Sequence, residues 1–193
     1  MVIPHGTTSV QLPCRNHIRT CVRVSSSGTS DPNRHAQSEL IGYADVDGST
    51  SEDRHAVSGY AYIINGGAVS WSAKRQSIIS LSTTESEYVA AAHTAKEALW
   101  LRSLIEQLFD LKLSPTTMFP DNQSAIALAK DHQYHACTKH IDIRYHFIRW
   151  IVEKGAVWLV YCPTEDMVAD MLTKVLPSAK VKHFAVELGL STV

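Results

Sequence analysis

The chain has 193 residues, 45% hydrophobic and 19% charged, as is usual for one globular domain with room for a tail. Its 18 lysine and arginine residues nearly balance 19 aspartate and glutamate residues, so the formal net charge is −1. This balance excludes a polybasic, histone-like protein, and any contact with nucleic acid must come from a local basic surface. The apolar runs are too short for a membrane span, and residues 1–10 lack the pattern of a secretory signal.

Residues 1–38 differ in composition from the rest of the chain. They carry four basic residues and one acidic residue, and 25–38 is small and polar without an apolar period. This composition predicts a poorly ordered leader or linker, followed by a folded domain over 39–193 that ends in a helix. The four cysteines are scattered and too few to cross-link the chain, which favours a reducing, intracellular compartment.

The remaining chain alternates between short β-patterned segments and longer helical ones. Apolar or β-rich runs predict strands at 39–45, 57–64, 68–73, 77–81, 118–120 and 156–161. Apolar residues at helical spacing predict helices at 83–111, 122–130, 141–152, 164–174 and 177–189. The turn signal at 65–67 makes the second and third strands a hairpin. Antiparallel strands followed by alternating helices and strands predict one mixed α/β sheet with helices packed against it.

Acidic residues lie where these predicted elements begin or end. Asp45 closes the first strand, and Asp121 follows a later strand and opens a helix. Glu87 lies in the first turn of the long helix, and Asp170 lies within the helix at 164–174. Buried carboxylates are unfavourable unless paired, and several at one point repel one another unless a cation neutralises them. Carboxylate oxygens without histidine or cysteine favour Mg²⁺ or Mn²⁺ over Zn²⁺.

Each of these acidic residues also has a simpler structural explanation. Asp121 could cap the helix that follows it, Asp170 could face solvent, and both Glu85 and Glu87 fit a helix-capping box. Glu85 and Glu87 are about 200° apart around a helix, so only one of them can face a metal. We select Glu87, because the residues after it continue the apolar stripe, and interpret Glu85 as the cap. Spacing alone does not select the acidic residues as a set.

Four sequence blocks, in order, resemble one protein family. The first is GYADVDGS with the following SGYAYIINGGAVSWSAKRQSIISLSTTESEYVAAAHTAKEALWLRSLIEQL. The later blocks are PDNQSAIALAK, TKHIDIRYHFIRW and PTEDMVADMLTKVLP. Together they cover roughly residues 39–177 and resemble the ribonuclease H domain at the end of copia-type LTR-retrotransposon Pol polyproteins. The resemblance implies a ribonuclease H-like α/β fold, with a central five-stranded mixed sheet flanked by helices.

The same resemblance implies an activity and a site. It implies a ribonuclease H, a two-metal phosphodiester hydrolase that cleaves the RNA strand of RNA–DNA hybrids during reverse transcription, with two Mg²⁺ or Mn²⁺ ions. Matched position by position, the catalytic and metal-binding residues would be Asp45, Glu87, Asp121 and Asp170. Asp47 is two residues after Asp45, so on a continuing strand both point to the same face. The sequence leaves open which of these two is the first ligand.

The resemblance and the charge pattern together suggest partners. Residues 130–154 hold five lysine and arginine residues against three acidic ones. We expect this segment to bind the phosphates of an RNA–DNA hybrid through Lys139, His140, Arg144 and Arg149, although a solvated helix face would also explain it. The resemblance implies a reverse transcriptase domain as a further partner, in cis or in trans, whereas the short apolar runs predict no membrane partner. We expect the protein in the cytoplasm, including retrotransposon particles, or in the nucleus.

Two other functions stay open from the sequence. One is a binding module with this fold but little or no catalysis, derived from a decayed or host-adopted retroelement. The other is a fragment that folds poorly without its reverse transcriptase. All four acidic residues are present, which favours the enzyme, because a decaying site should lose an acid early. Gly48 and Pro120, where the family usually has an aromatic residue and a cysteine, favour the alternatives.

Overall fold

The computed structural model describes residues 9–11, 21–23, 39–48, 55–80, 82–110, 112–123, 126–127 and 139–190. Within the first 38 residues it contains two short strands, β1 (Ser9–Gln11) and β2 (Cys21–Arg23), which pair antiparallel. Composition did not predict this pairing. The rest of 1–38 lies outside the described residues, so the poorly ordered leader stays a prediction there.

A five-stranded mixed sheet forms the centre of the domain, as predicted. Its strands are β3 (Leu40–Asp47), β4 (Val57–Ile64), β5 (Gly67–Arg75), β6 (Thr116–Pro120) and β7 (Val157–Leu159). Their order across the sheet is β5-β4-β3-β6-β7. The first three form an antiparallel meander, whereas β6 runs parallel to β3 and β7 runs parallel to β6. Since β3 and β6 are parallel neighbours, their carboxyl ends meet at one edge of the sheet.

Helices cover both faces of this sheet. They are α1 (Thr83–Phe109), α2 (Lys139–Glu153), α3 (Asp170–Thr173) and α4 (Ser178–Glu187). Of the helix predicted at 122–130, the described residues 123, 126 and 127 are helical. Within the described ranges, no helix is long and apolar enough to cross a membrane.

Two predicted elements differ from the structure. Residues 77–80 are not a strand, because Arg75 pairs with Val57, the first residue of β4, and the chain beyond it has passed the end of that strand. The helix predicted at 164–174 is only the single turn α3. Residues 167–170 are all buried, and four consecutive buried residues do not fit a helix with one exposed side.

Among the described residues, the two largest clusters of buried apolar side chains lie on opposite faces of the sheet. The cluster beneath α1 and α2 contains large, fully buried side chains, among them Tyr62, Tyr88, Leu101, Met118 and Ile151. The cluster beneath α3 and α4 contains Ala61, Ile63, Val168, Phe184 and Leu188. The apolar stripe predicted on α1 is correct for its first turns. Near the end of the helix Leu108 is exposed, so the stripe does not continue there.

Candidate active site

The predicted acidic residues converge on the sheet edge where β3 and β6 end. The parallel register of the two strands places Asp45 beside Asp121. Glu87 approaches from the second turn of α1, one turn later than predicted, and Asp170 is the first residue of α3. A shallow depression of about 330 Å³ at this edge is lined by Glu87, Asp121, Asn122, Gln123 and Tyr161. The fold therefore brings together acidic residues from four separate elements.

Asp45 and Asp170 share one ammonium group. Lys174 Nζ lies 2.9 Å from Asp45 Oδ1 and 2.8 Å from Asp170 Oδ1, and both carboxylates are fully buried. Thr173 Oγ1 donates a hydrogen bond to Asp45 Oδ2, and Lys180 Nζ lies 3.4 Å from Asp170 Oδ2. Burial lowers the pKa of Lys174, but its hydrogen bonds to Asp170 and Asp45 outweigh this and raise the pKa above its ordinary value. The negative charges of these two buried residues are thus balanced within the chain.

The negative charges of Glu87 and Asp121 are not paired with a lysine in this way among the described residues. Burial, followed by the negative charges of Asp121 and Asp45, raises the pKa of Glu87 to about 9. Burial and the charge of Asp45 raise the pKa of Asp121 to about 6, while Lys174 acts in the opposite direction. Oδ1 of Asp121 is buried and has no hydrogen-bond partner among the described residues. This half of the site is therefore crowded with negative charge and retains a proton at neutral pH.

Asp45 and Asp47 lie on the same strand, and Asp45 is the one that contacts the other residues of the acidic site. Strand β3 continues to Asp47, but Asp45 is fully buried whereas Asp47 is only half-buried. The charge of Asp45 contributes to the raised pKa values of both Glu87 and Asp121. The structure therefore favours Asp45 as the first acidic residue of the site.

The start of α1 separates Glu87 from Glu85. The hydroxyl of Ser82 accepts a hydrogen bond from the backbone N–H of Glu85 at 3.1 Å, which caps the helix. Glu85 therefore lies in the first turn, where a negative charge interacts favourably with the helix dipole. The structure places Glu87, two residues later, beside Asp121 and Asp45.

A buried glutamine that the sequence did not single out connects the site to the sheet. The Gln76 amide donates to the Ser58 hydroxyl at 2.8 Å and to the Ser86 carbonyl at 2.9 Å, and its oxygen accepts from Ser80 at 3.3 Å. Ser86 directly precedes Glu87, and Ser58 lies on β4. Gln76 thus fixes the start of α1 against the strand beside β3. A polar residue at a strand end gives no sequence signal that it will be buried.

The contacts around the acidic residues bear on the predicted metal site. Among the described residues, no three histidine, cysteine or acidic side chains lie close enough together to hold a metal ion as they stand. Three observations nevertheless fit a hard divalent cation: the ligand atoms are all carboxylate oxygens, Asp121 Oδ1 lacks a partner, and the Lys174 ammonium bridges Asp45 and Asp170 as a bound cation would. The residues present therefore suit Mg²⁺ or Mn²⁺.

The predicted nucleic-acid contacts lie on α2. Only three residues separate this helix from β7, which begins beside the start of β6, so α2 begins toward the sheet edge where β6 ends. Lys139 and His140 are in its first turn, and their side chains lie outside the described residues. Arg144 and Arg149 are half-buried. The topology thus places the start of α2 on the side of the acidic residues, and the contacts with nucleic acid stay a prediction.

The chain is similar to polyproteins of plant transposons. It is 43% identical over 154 residues to the retrovirus-related Pol polyprotein from transposon TNT 1-94 of Nicotiana tabacum, a match covering 79% of this chain and 11% of that protein. It is 31% identical over 191 residues to the Pol polyprotein from transposon RE1 of Arabidopsis thaliana, covering 95% of this chain and 13% of that protein. The chain thus spans about a tenth of the length of these curated relatives. No protein-family model matches it.

A solved structure shares the fold at low sequence identity. The crystal structure of LC11-RNase H1 in complex with an RNA/DNA hybrid matches with a TM-score of 0.51 at 17% identity, covering 70% of this chain and 94% of that chain. At this identity the likeness bears on the fold alone. It confirms the predicted ribonuclease H-like architecture, with its five-stranded mixed sheet and flanking helices.

Proposed function

Because the chain belongs to the retrovirus-related Pol polyproteins and has the ribonuclease H fold, we propose that it cleaves the RNA strand of RNA–DNA hybrids in a metal-dependent reaction during retrotransposon reverse transcription. The observation that carries the proposal is the convergence of four acidic residues from four elements on one sheet edge. These residues are Asp45, Glu87, Asp121 and Asp170. Carboxyl groups in a cleft whose pKa values are raised by burial and by one another are candidates for catalytic residues.

Asp45 is central among these residues. It interacts with Asp121 on one side and shares the Lys174 ammonium with Asp170 on the other. We therefore propose that Asp45, Glu87, Asp121 and Asp170 together would hold the Mg²⁺ or Mn²⁺ ions. A pair of divalent ions, when bound, activates a water molecule as the nucleophile and stabilises the leaving oxygen of a phosphodiester.

The chain itself holds a proton at the site before any cation enters. Since the pKa of Glu87 is about 9, its carboxyl group is protonated at neutral pH in the metal-free protein. A carboxyl group must lose its proton to ligate a cation, so binding at Glu87 releases a proton to solvent. Proton release on adding Mg²⁺ or Mn²⁺ is accordingly part of the proposal.

The hybrid is proposed to lie across the depression and the start of α2. Lys139, His140, Arg144 and Arg149 would contact backbone phosphates, which predicts binding that weakens as salt rises. The RNA strand would be distinguished by its 2′-hydroxyl groups. A reverse transcriptase domain of the same polyprotein is the proposed protein partner, and the proposed location is the cytoplasm, including retrotransposon particles, or the nucleus.

Cleavage of a hybrid with each strand labelled separately tests this function. We expect the protein to cut only the RNA strand, in Mg²⁺ or Mn²⁺ and not in EDTA, and Asp45→Asn to abolish cutting. Asp47→Asn is the matched control, because it makes the same change at the half-buried carboxylate two residues later on the same strand.

The outcomes separate the enzyme from the binding module. Cutting that survives in Asp45→Asn but not in Asp47→Asn would exchange the roles of these two residues. A folded protein that binds the hybrid without cutting it would contradict the proposed activity and favour the catalytically inactive binding module.

A further inference from the structure

We propose that Lys174 sets the metal affinity of the acidic site, because its ammonium holds the position between Asp45 and Asp170 that a divalent ion would take. This inference rests on the proposed function. The Lys174 ammonium is a cation that the chain itself supplies at the site. It must leave before a metal ion can bind both Asp45 and Asp170.

The contacts of Lys174 are those of a bridging ligand. Its Nζ lies within 2.9 Å of one oxygen of Asp45 and one oxygen of Asp170, and both carboxylates are fully buried. Without the ammonium, two adjacent negative charges would be buried together, which is strongly unfavourable. Lys174 therefore stabilises the metal-free protein.

Lys180 also lies near Asp170, but its contacts differ from those of Lys174. Its Nζ lies 3.4 Å from the other oxygen of Asp170 and 3.1 Å from the carbonyl oxygen of Thr164, so it contacts one acid and not the pair. Among the described lysines, the bridge between the two buried acids belongs to Lys174.

The exposure and the backbone conformation of Lys174 allow its ammonium group to leave the site. Its side chain is 29% exposed, and its backbone is extended directly after the single turn of α3. The ammonium can therefore turn to solvent on its flexible stem while Asp45 and Asp170 keep their places on β3 and α3. A divalent ion needs the same oxygens and is repelled by the ammonium at this distance, so the two cations compete.

Calorimetric titration of the metal-free protein with Mn²⁺ tests the competition. Lys174→Met removes the charge and keeps most of the stem, and we expect its Kd for Mn²⁺ to fall about tenfold relative to the unmodified protein. Lys182→Met is the matched control, because it makes the same change of net charge at an exposed position of α4. Its Kd should be unchanged.

Thermal unfolding in EDTA gives a readout that needs neither metal nor substrate. Lys174→Met should melt several degrees lower than the Lys182→Met control, and saturating Mn²⁺ should raise its Tm by more than it raises that of the unmodified protein. Should Lys174→Met not fold in EDTA, Lys174→Gln, which retains a hydrogen-bond donor, is titrated in its place.

The results distinguish this inference from the proposed function. If the unmodified protein and Lys174→Met bind Mn²⁺ equally well, or if the variant binds more weakly, Lys174 does not compete and only this inference is wrong. If neither binds Mn²⁺, the acidic residues are not a metal site, and the proposed function and the inference both fail.

Discussion

Gly59 on β4 lies directly opposite Asp45 on β3, and the missing side chain at Gly59 is what lets α3 reach Asp45. A Cβ atom at residue 59 would lie 2.7 Å from Thr173 Cγ2 and 3.0 Å from Leu172 Cβ. Thr173 and the next residue, Lys174, both bind the Asp45 carboxylate. A single glycine therefore sets how closely the acidic residues of β3 and α3 approach each other.

Gly59→Ala should disrupt the site more than the addition of a single methyl group suggests. The added methyl group would also lie 3.3 Å from the backbone oxygen of Ala169, so α3 must move as a whole. We expect a loss of about 1–3 kcal/mol in the free energy of unfolding, together with a large loss of cleavage. Gly48→Ala is the control, since a Cβ there meets nothing within 4 Å, and it should leave both quantities unchanged. Equal effects of the two changes would show that α3 does not need Gly59.

Asp121→Asn should abolish cleavage without destabilising the metal-free protein. The charge of Asp121 raises the pKa of Glu87, and Asp121 Oδ1 has no hydrogen-bond partner among the described residues, so the carboxylate makes the metal-free site less favourable. We expect the Tm in EDTA to stay equal or to rise. A variant that is strongly destabilised yet cleaves the hybrid normally would show that Asp121 is only a helix cap.

The metal-free protein should lose stability as pH rises. The folded-state pKa of Glu87, about 9, is above its ordinary value of 4.5, which we expect in the unfolded chain, so between these values the folded state holds a proton that the unfolded state has lost. The unfolding free energy therefore falls through this window, by at most about 1.4 kcal/mol per pH unit from this group. Denaturant titrations in EDTA at several pH values measure the slope. Glu87→Gln should flatten the dependence of the unfolding free energy on pH. An unchanged slope would show that another group causes the dependence.

Replacing Gln76 by methionine should destabilise the fold at the start of α1. The change leaves the Ser58 hydroxyl and the Ser86 carbonyl without their buried partner, for an expected cost of about 2–3 kcal/mol. Gln107→Met on the exposed side of α1 removes a hydrogen bond with Ser103 and should cost little. Denaturant unfolding of both variants gives the comparison, and similar midpoints would mean that the Gln76 amide does not stabilise this junction.

The sequence predicted the sheet better than it predicted the site. Strand β4 was predicted at 57–64 with its observed bounds, because a β-rich alternating run ends at the turn signal at 65–67. The four acidic residues came from the family resemblance, since spacing alone leaves each of them a plausible cap or surface residue. Lys174 was missed because its partner Asp45 is 129 residues away, and no local pattern encodes such a contact. The helix at 164–174 was wrong because burial on both sides of that segment overrides its helical spacing.

The distance in sequence between Asp45 and Lys174 also determines when the site is completed during synthesis of the chain. The chain is synthesised from its amino end, so the meander β3–β4–β5 and α1 can pair and pack while the later elements are still inside the ribosome. The acidic edge is completed only when α3 has emerged, after nearly all of the described domain has been translated. A product that ends just before Asp170 would contain all five strands of the sheet but not the complete acidic site, so the proposed nuclease activity would be absent from unfinished chains.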